Sequence, residues 1–259
     1  MMEPMISVVI PVYNSQSFIK ETILTVVNQS FSNWELILVD DKSVDQSVSV
    51  IRNTIKELEQ NRTIKLGQIR LLEEVTNHGA YFVRNHGVDA AKGRYLCYLD
   101  ADDLWKPEKL EMQLAFMQKN EIAFSFTSYE FADTKGIGTG KVAWVPKELT
   151  YKKALKNTII FTSTVMFDLT KIEKEMIKMP AIGSEDTATW WKILSKGYHA
   201  YGIHEVTTLY RRSEGTLSSN KGRGIVRIWN LYRKVAHLNV LKSSYYFCHF
   251  AVNATLRRL

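Results

Sequence analysis

Short apolar runs alternate with amphipathic segments through the first half of the chain, and this alternation limits the fold more than any other feature. Four runs rich in Val, Ile, Leu or Tyr each end at polar or turn residues, as strands do: ISVVIPVYN, WELILVDD, IRLLEEV and RYLCYLDADD. The segments between them repeat apolar residues every three or four positions, which is the helical period. A β-α-β-α-β-α-β order predicts an α/β fold, with a mainly parallel sheet between helices and ligands bound at the carboxyl ends of its strands.

The order becomes less regular after Asp103. A helix is predicted over 107–119, because proline suits a first helical turn. EDTATWWKILSKG predicts another helix, which ends at Gly197, and TKGIGTGKVAWVPKE predicts a loop or ribbon over the sheet. Further strands are predicted at IAFSFTSYEFAD, TIIFTSTVMFD and HAYGIHEVTTLYRR. Because no linker splits the chain, we expect one domain over 1–220 and a helical appendage over 221–259.

The positive charge of the chain is concentrated at its C-terminal end. The net charge is +7, and residues 201–259 hold ten Lys and Arg residues against two acids, with no acid after Glu214. Basic tails bind nucleic acid, anionic membrane surfaces or polyphosphate ligands. The sequence contains no base-reading or base-stacking element, so we expect no nucleic-acid partner and favour a membrane or a diphosphate.

Residues 221–259 are predicted to form a basic amphipathic helix. Apolar residues recur at helical spacing at Ile228, Trp229, Tyr232 and Val235. Eight Lys and Arg residues, the lack of acids and the aromatic cluster at 245–247 favour docking on an anionic membrane surface. The alternative is that the apolar stripe packs on the domain core while the basic residues are solvated.

Three further features bear on where the protein works. No apolar stretch reaches the roughly 18 residues that a membrane span needs, and Glu3 lies where a secretory signal carries basic residues. The two cysteines, Cys97 in an apolar run and Cys248 near the end, form no disulfide framework and suit a reducing compartment. We therefore expect a cytoplasmic protein, held peripherally on the inner face of the cell membrane.

Acidic residues cluster at three predicted strand or helix ends. They are Asp40-Asp41, Asp100-Ala101-Asp102-Asp103 and Glu185-Asp186. The three carboxylates of the second cluster repel one another unless a cation relieves them. Mg²⁺ and Mn²⁺ take one or two protein carboxylates and add water and phosphate oxygens, so the cluster predicts a divalent metal beside a diphosphate. The alternative is a solvated helix N-terminus capped by Asp103.

Asp40 and Arg84 each carry a functional and a structural interpretation. Asp40 closes the second strand, where a carboxylate accepts a hydrogen bond either from a uracil or ribose group or from a turn of its own chain. Arg84 and Asn85 follow the turn at Gly79 on a predicted helix. Arg84 either neutralises a diphosphate with two parallel hydrogen bonds or lies on a helix surface in solvent.

The other two candidate groups lie in the second half of the chain. The pair Glu185-Asp186 precedes two tryptophans and offers a candidate general base and a second acid, because partial burial raises a carboxyl pKa towards the operating pH. The alternative is a pair of acids that stabilise a helix N-terminus. Arg211, Arg212 and the loop SEGTLSSNKGR form either a mobile lid over phosphates or a solvated loop.

Four segments in this order resemble the inverting family 2 nucleotide-sugar glycosyltransferases, which have the GT-A fold. The segments are VVIPVYN, VNQSFSNWELILVDDKSVD, NHGAYFVRNHGVDAAKGRYLCYLDADDLW and SEDTATWWKIL. Together they cover nearly all of residues 5–215. LTYKKALKNTII and LYRRSEGTLSSNK are similar, more narrowly, to bacterial glycosyltransferases of teichuronic acid and of capsular or O-antigen polysaccharides.

The resemblance implies a nucleotide site at the first half of the sheet. Pro11, Tyr13 and Asp40 would line the nucleoside pocket. Arg84 would lie beside the base and the diphosphate, and Asp100 would contact the ribose.

The resemblance also implies a metal site and a catalytic base. Asp102 would coordinate Mn²⁺ or Mg²⁺, and Asp186 would be the general base. Members of the family often have a histidine that joins the metal where this chain has Ser213. We therefore expect Arg211 or Arg212 to supply charge instead.

The activity implied is that of a metal-dependent, inverting glycosyltransferase. Its donor would be a nucleotide sugar, expected to be a UDP sugar, and its acceptor a hydroxyl group of a glycan linked to polyprenyl diphosphate. The product would be a bacterial surface polysaccharide such as a capsule or an O-antigen. Two alternatives stay open: a phosphatase of the haloacid dehalogenase type, whose strand also ends in Asp-x-Asp, and a non-catalytic module that binds a membrane surface.

Overall fold

Ten strands form one mixed sheet in the part of the chain that the computed structural model describes, residues 4–157, 159–212 and 221–256. The strands are β1 (Ile6–Val12), β2 (Trp34–Asp40), β3 (Ile69–Glu73), β4 (Tyr95–Tyr98), β5 (Leu104–Trp105), β6 (Phe124–Ala132), β7 (Gly138–Ala143), β8 (Glu148–Leu149), β9 (Met166–Asp168) and β10 (Ala200–Arg211). The helices are α1 (Ile19–Val27), α2 (Ser47–Gln60), α3 (Ala80–Ala90), α4 (Lys109–Lys119), α5 (Tyr151–Lys156), α6 (Lys174–Ile177), α7 (Glu185–Ser195), α8 (Lys221–Asn230) and α9 (Val240–Leu256). Two shorter helical turns are a 3₁₀ turn at Thr162–Thr164 and a π-helical turn at Leu231–Val235.

The four strand-like runs of the first half form the parallel part of the sheet. β1 pairs in parallel with β2 and with β4, and β2 pairs in parallel with β3. Every residue of β2 is buried, because a parallel strand between two helical layers meets apolar side chains on both faces. The predicted order of strands and helices is therefore confirmed up to β4.

Successive side chains of the central strands enter two different hydrophobic layers. Val8 packs in the layer that includes α1, α2 and α4, whereas Val9 packs in the layer that includes α3, α5 and α7. This division follows from the strand geometry, in which neighbouring side chains point to opposite faces. Helices thus flank both faces of the sheet, which confirms the predicted α/β class.

The second half of the sheet is mixed. The strand order is β3-β2-β1-β4-β9-β6-β10-β5, with β7 beside β6 and β8 beside β10. β6 and β10 pair in parallel, whereas the short strands β5, β7, β8 and β9 all pair antiparallel to their neighbours. The segment predicted as a loop or ribbon contains β7, which forms a ribbon with β6.

Two predictions of secondary structure differ from the structure. TIIFTSTVMFD forms the 3₁₀ turn at Thr162–Thr164 and the short strand β9, and not one long strand. Hydroxyl side chains account for the difference, because Thr164 Oγ1 donates to the carbonyl of Phe161 at 2.6 Å and so competes with strand pairing. The helix predicted over 107–119 begins at Lys109.

The C-terminal helices pack on the domain. Tyr232, in the π-helical turn, is fully buried, and its ring centroid lies 5.1 Å from that of Trp191 in α7. Its hydroxyl donates to the carbonyl of Leu155 in α5 at 2.6 Å. Ile228 is also buried, so much of the predicted apolar stripe packs on the core, as the alternative interpretation expected. None of the described helices combines the length and the apolar character needed to cross a bilayer.

Candidate active site

A cleft of about 560 Å³ opens at the carboxyl ends of β1 and β4. Strand order changes direction between these two strands, and open α/β sheets bind ligands at such points. Its walls come from the end of β1 and the residues after it, from Asp41 after β2, from the start of α3 and from the loop after β4. Five of the candidate site residues predicted from the sequence line it: Pro11, Tyr13, Arg84, Asp100 and Asp102.

The predicted nucleoside residues are partly brought together here. Pro11 and Tyr13 line the cleft, and the Tyr13 side chain is 52% exposed, so its ring is open to a ligand. Asp40 is buried at the end of β2, and its Oδ2 accepts a hydrogen bond from the backbone N–H of Ser43 at 2.9 Å. Asp40 Oδ1 is buried without a hydrogen-bond partner among the described residues, which fits a donor supplied from outside. The role of Asp40 stays a prediction.

Asp41, which sequence reasoning gave no role, positions the start of α3. Its two carboxylate oxygens accept hydrogen bonds from the backbone N–H groups of His78 and Gly79, both at 2.7 Å. Its carbonyl accepts another from Asn77 Nδ2 at 3.0 Å. Gly79 has a φ of +92°, a left-handed conformation that favours glycine. The sequence signal was present, since Asn-His-Gly directly precedes a helix.

Arg84 joins two of the predicted acidic clusters. Its Nη2 donates to Asp100 Oδ1 at 2.7 Å, and its Nη1 donates to Glu185 Oε1 at 3.0 Å. Burial acts to lower the pKa of this guanidinium, but the charges of Asp100, Glu185 and Asp186 outweigh that effect and raise it. The arginine therefore stays charged at the wall of the cleft, between the end of β4 and the start of α7.

The loop after β4 concentrates negative charge. Burial, and then the neighbouring charge of Asp100, raise the pKa of Asp102 to about 6. Asp103 is fully buried, and burial, with the charges of Asp100 and Asp102, raises its pKa well above the usual range. Asp103 is followed by β5 and does not cap a helix: Ser163 Oγ donates to its Oδ2 at 2.5 Å, and the backbone N–H of Arg211 donates to its Oδ1 at 3.2 Å.

The chemistry of this loop fits a divalent cation shared with a ligand. Among the described residues there is no group of three or more His, Cys, Asp or Glu side chains that could hold a metal ion alone. Mg²⁺ and Mn²⁺ accept one or two protein carboxylates when phosphate oxygens and water supply the rest. Asp102 lines the cleft and its charged form is disfavoured by burial and by Asp100, so a cation there relieves an existing repulsion.

Asp186 lies in the first turn of α7, half-buried. Its Oδ1 accepts a hydrogen bond from the backbone N–H of Thr187 at 2.6 Å, and its Oδ2 accepts one from Thr162 Oγ1 at 3.4 Å. Asp186 does not line the cleft, but its charge acts on Arg84. Burial raises the pKa of the adjacent Glu185. The positive charge of Arg84 opposes that shift, whereas the negative charge of Asp186 adds to it. Its role as base and the secondary role of Glu185 stay predictions.

Arg211 is buried, and its guanidinium forms hydrogen bonds with other residues of the protein. Its Nη1 donates to the carbonyl of Asp102 at 2.9 Å, and its Nη2 donates to Glu21 Oε2 at 2.5 Å. The guanidinium also lies 4.8 Å from the ring centroid of Phe18. Arg211 therefore supports the loop that carries Asp102 and does not line the cleft.

Arg212 is exposed, with its guanidinium 5.6 Å from the ring centroid of Phe131. Its predicted contact with phosphate stays a prediction. The predicted lid spans residues 213–223, of which 213–220 lie outside the described ranges together with Ser213 and the predicted domain boundary at residue 220. Its last three residues, 221–223, belong to α8 and do not form a loop.

Ser163 is a further residue of the site that sequence reasoning missed. Besides its hydrogen bond to Asp103, its Oγ accepts a hydrogen bond from the backbone N–H of Asp100 at 3.1 Å. The side chain is fully buried and ties the 3₁₀ turn to the acidic loop. The available signal was the hydroxyl-rich Thr-Ser-Thr that interrupts an apolar run.

The family model described as "Glycosyl transferase family 2" matches residues 7–171. A Bacillus subtilis protein named as a teichuronic acid biosynthesis glycosyltransferase, TuaG, is 39% identical over 258 residues, which are 99% of this chain and 98% of the relative. An Escherichia coli protein named UDP-Glc:alpha-D-GlcNAc-diphosphoundecaprenol beta-1,3-glucosyltransferase, WfgD, is 33% identical over 249 residues, which are 96% and 92% of the two chains.

A solved structure confirms the predicted fold. The mannosyltransferase PcManGT from Pyrobaculum calidifontis, in complex with GDP-Man and Mn²⁺, superposes with a TM-score of 0.70 and 19% sequence identity. The match covers 95% of this chain and 70% of the solved chain. At 19% sequence identity, this similarity supports the fold and not a shared function.

Proposed function

The chain belongs to glycosyl transferase family 2, and from this premise we propose that it moves a sugar from a UDP sugar to a glycan carried on polyprenyl diphosphate. The enzyme class itself, a glycosyltransferase, follows from the family. The observation that carries the donor half of the proposal is the cleft at β1 and β4, where Arg84 and two aspartates meet. The phosphatase and the non-catalytic module find no support in the family or in the fold.

The nucleotide would lie in the cleft with its base towards Tyr13 and its diphosphate towards Arg84 and Asp102. Tyr13 offers an exposed ring for stacking, and the buried, unpartnered Oδ1 of Asp40 is an acceptor for an imide or a hydroxyl group. The choice of uridine is supported by the E. coli relative, which is named for a UDP-glucose donor.

Asp102 would hold Mn²⁺ or Mg²⁺ together with the donor diphosphate. The solved relative of this fold contains Mn²⁺, which supports a divalent cofactor without fixing the ion. When bound, such an ion stabilises negative charge on the departing diphosphate as a Lewis acid. Arg211 and Ser163 contribute indirectly, because they fix the backbone of the loop that presents Asp102.

The transfer itself would be a single displacement. The acceptor oxygen forms a bond to the anomeric carbon from the face opposite the nucleoside diphosphate, and the bond from that carbon to the diphosphate oxygen breaks. Asp186 takes the proton of the acceptor hydroxyl, while Thr162 and the Thr187 amide orient its carboxylate. One displacement inverts the configuration of the anomeric carbon.

The acceptor and the location are also part of the proposal. The E. coli relative is named for an acceptor on diphosphoundecaprenol, and the Bacillus relative for teichuronic acid synthesis. A lipid-linked acceptor lies at a membrane, so the enzyme would work as a peripheral protein on the inner face of the cell membrane, in the synthesis of a surface polysaccharide.

Replacing the proposed base tests the function. Asp186→Asn keeps the shape of the side chain but cannot take the proton, so turnover of a UDP sugar with a lipid-linked GlcNAc acceptor should fall about 100-fold or more. UDP affinity, measured by calorimetry with Mn²⁺, should stay within about twofold.

The matched control is Asp89→Asn, an exposed aspartate on α3 that pairs with Lys178. Its turnover should equal that of the wild type. Near-normal turnover of Asp186→Asn would mean that another group, such as Glu185, takes the proton.

A further inference from the structure

Helix α9 is apolar on two faces. Its inner face carries Tyr246, Phe247 and Phe250, which pack against the core. Its outer face carries a second apolar row at spacings of four, three and four residues: Leu241, Tyr245, Cys248 and Val252. Leu241 is 82% exposed, Val252 58% and Tyr245 52%. A surface helix of a water-soluble domain normally presents polar residues there, so this outer row calls for a partner that is itself apolar.

A groove of about 520 Å³ runs beside this row, between α5 and α9. Its apolar walls are formed by Tyr151, Leu155, Leu238, Leu241, Tyr245 and Tyr246. No carboxylate is among the residues that line it. The groove therefore offers the contact surface that a hydrocarbon chain prefers.

Lysines surround the groove. Lys152 and Lys242 line it, and Lys156 Nζ lies 5.3 Å from the ring centroid of Tyr245. Among the described residues, neither Lys152 nor Lys242 forms an ion pair with a carboxylate. The sequence from residue 221 onwards contains eight Lys and Arg residues and no acid, so the surrounding field is positive as well.

We propose that the outer face of α9 and the α5–α9 groove bind anionic phospholipid, with α9 lying in the plane of the bilayer interface. The headgroup phosphate would lie at Lys152 and Lys242, and an acyl chain along Leu155, Leu238 and Leu241. Tyrosine rings suit the headgroup level because one end is apolar and the other polar. Apolar burial and lysine–phosphate attraction together give reversible attachment without a spanning segment.

Charge decides between lipid and a second copy of the chain as the occupant. In a symmetric dimer the same patch lies on both partners, so the lysines of one copy would face those of the other. An anionic headgroup, in contrast, is attracted by the same lysines. The proposal rests on the proposed function in one respect, namely that a polyprenyl-linked acceptor requires the enzyme to work at a membrane.

The groove also connects with the helix that carries the proposed base. Tyr151 lines a second groove, of about 440 Å³, together with Trp191 and Lys192 of α7. The first turn of α7 contains Asp186. The proposed lipid surface and the catalytic helix are thus neighbours in the same helical layer.

Sedimentation of the full chain with vesicles tests the proposal, in the absence of donor and acceptor. We expect binding to phosphatidylcholine–phosphatidylglycerol vesicles, little binding to phosphatidylcholine alone, and release at high salt. The variant Lys152→Gln/Lys156→Gln/Lys242→Gln should bind about tenfold more weakly or worse. Its control, Lys56→Gln/Lys65→Gln/Lys119→Gln, removes three exposed lysines elsewhere and should bind like the wild type.

A second pair of variants tests the apolar row. Leu241→Gln/Val252→Gln should lose binding, whereas Leu66→Gln/Val75→Gln, at comparably exposed apolar positions outside the row, should retain it. Thermal unfolding of each variant shows that it is folded. Transfer to a water-soluble acceptor analogue is assayed separately, so that loss of lipid binding and loss of catalysis are distinguished.

Three results would overturn the proposal. The first is equal vesicle binding by the lysine variant and its control. The second is lipid-independent self-association that Leu241→Gln/Val252→Gln abolishes, which would assign the face to a second copy. The third is binding only to vesicles that contain polyprenyl diphosphate, which would assign the groove to the acceptor.

Discussion

Arg84 links the acidic loop at one wall of the cleft to the start of α7. It donates to Asp100 on the loop after β4 and to Glu185 on α7, and both ion pairs are partly sheltered from water. Two donors of one planar guanidinium can serve two carboxylates at once, which a single ammonium group cannot do with the same geometry. The conservative replacement is therefore informative.

Arg84→Lys should lower kcat/KM for the nucleotide sugar about tenfold to 100-fold, because Asp100 and Glu185 lose their common anchor and the donor site shifts. Steady-state kinetics measure this effect. Arg52→Lys, which changes an exposed arginine paired with Glu73, is the matched control and should leave kcat/KM unchanged. Equal kinetics for both variants would mean that charge alone matters at position 84.

Because the pKa of Asp102 is raised, we expect the stability of the metal-free protein to depend on pH. The pKa of Asp102 is about 6 in the folded chain, above the value of about 3.9 for an unfolded aspartate. A raised folded pKa contributes stability below the unfolded value, and this contribution is lost as the pH rises through about 6. Asp102→Asn should thus be more stable than the wild type at pH 8 and about equal to it near pH 4.

Thermal or urea unfolding of both proteins at the two pH values measures the difference. A stability difference that does not change with pH would contradict the assigned environment of Asp102. Turnover of the variant should fall at pH 8, because a neutral amide oxygen is a weaker ligand for Mg²⁺ or Mn²⁺ than the carboxylate that it replaces.

At the scale of elements, the site depends on a short helical turn that lies between α5 and β9. The 3₁₀ turn at Thr162–Thr164 places Ser163 against Asp100 and Asp103, and Thr162 against Asp186. The end of β4 and the start of α7 are therefore held by the same three-residue turn, and its hydroxyl groups link the acidic loop to the proposed base.

Ser163→Ala should destabilise the fold by about 1–3 kcal/mol, because a buried carboxylate and a backbone N–H each lose a hydrogen-bond partner. Urea denaturation measures the change in the free energy of unfolding. Ser195→Ala, on the exposed end of α7, serves as control and should change stability by less than about 0.5 kcal/mol. Similar changes in the free energy of unfolding for the two variants would mean that the hydrogen bonds of Ser163 do not stabilise the fold.

The sequence predicts the parallel strands well for a physical reason. Strands buried on both faces need continuous apolar runs, and WELILVDD or RYLCYLDADD show both the run and the polar residues that follow it. The acidic residues at these ends then fall at the edge where a sheet of this kind binds ligands. Of the five candidate residues that line the cleft, Asp100 and Asp102 come from the end of RYLCYLDADD, and Pro11 and Tyr13 come from the end of ISVVIPVYN.

The parts that could not be predicted depend on contacts between distant segments. Arg211 pairs with Glu21 across 190 residues, and no local pattern distinguishes this buried arginine from a solvated arginine before a loop. Likewise, the sequence around the 3₁₀ turn resembles a strand, but Ser163 forms a hydrogen bond with Asp103, which lies sixty residues away in the chain, and this bond stabilises the turn. Tertiary hydrogen bonds override local propensity at both places.

At the scale of the whole molecule, the structure separates two tasks. The cleft at β1 and β4 is the proposed donor site, while α5, α7 and α9 form a helical layer that carries both the proposed base and the proposed lipid surface. The packing of Tyr232 between α5 and α7 makes the C-terminal helices part of that layer. This arrangement suits the proposed enzyme, which would join a water-soluble donor to a lipid-linked acceptor.

Under the proposed function, this chain transfers a sugar with inversion from a nucleotide sugar to a lipid-linked glycan. The decisive measurement is nuclear magnetic resonance of the product that the wild-type enzyme makes from UDP-α-glucose and a diphosphate-linked GlcNAc acceptor. We expect a β-linked glucose, formed with Mn²⁺ or Mg²⁺ present and not formed by Asp186→Asn. An α-linked glucose, or β-linked product made equally well by Asp186→Asn, would contradict it.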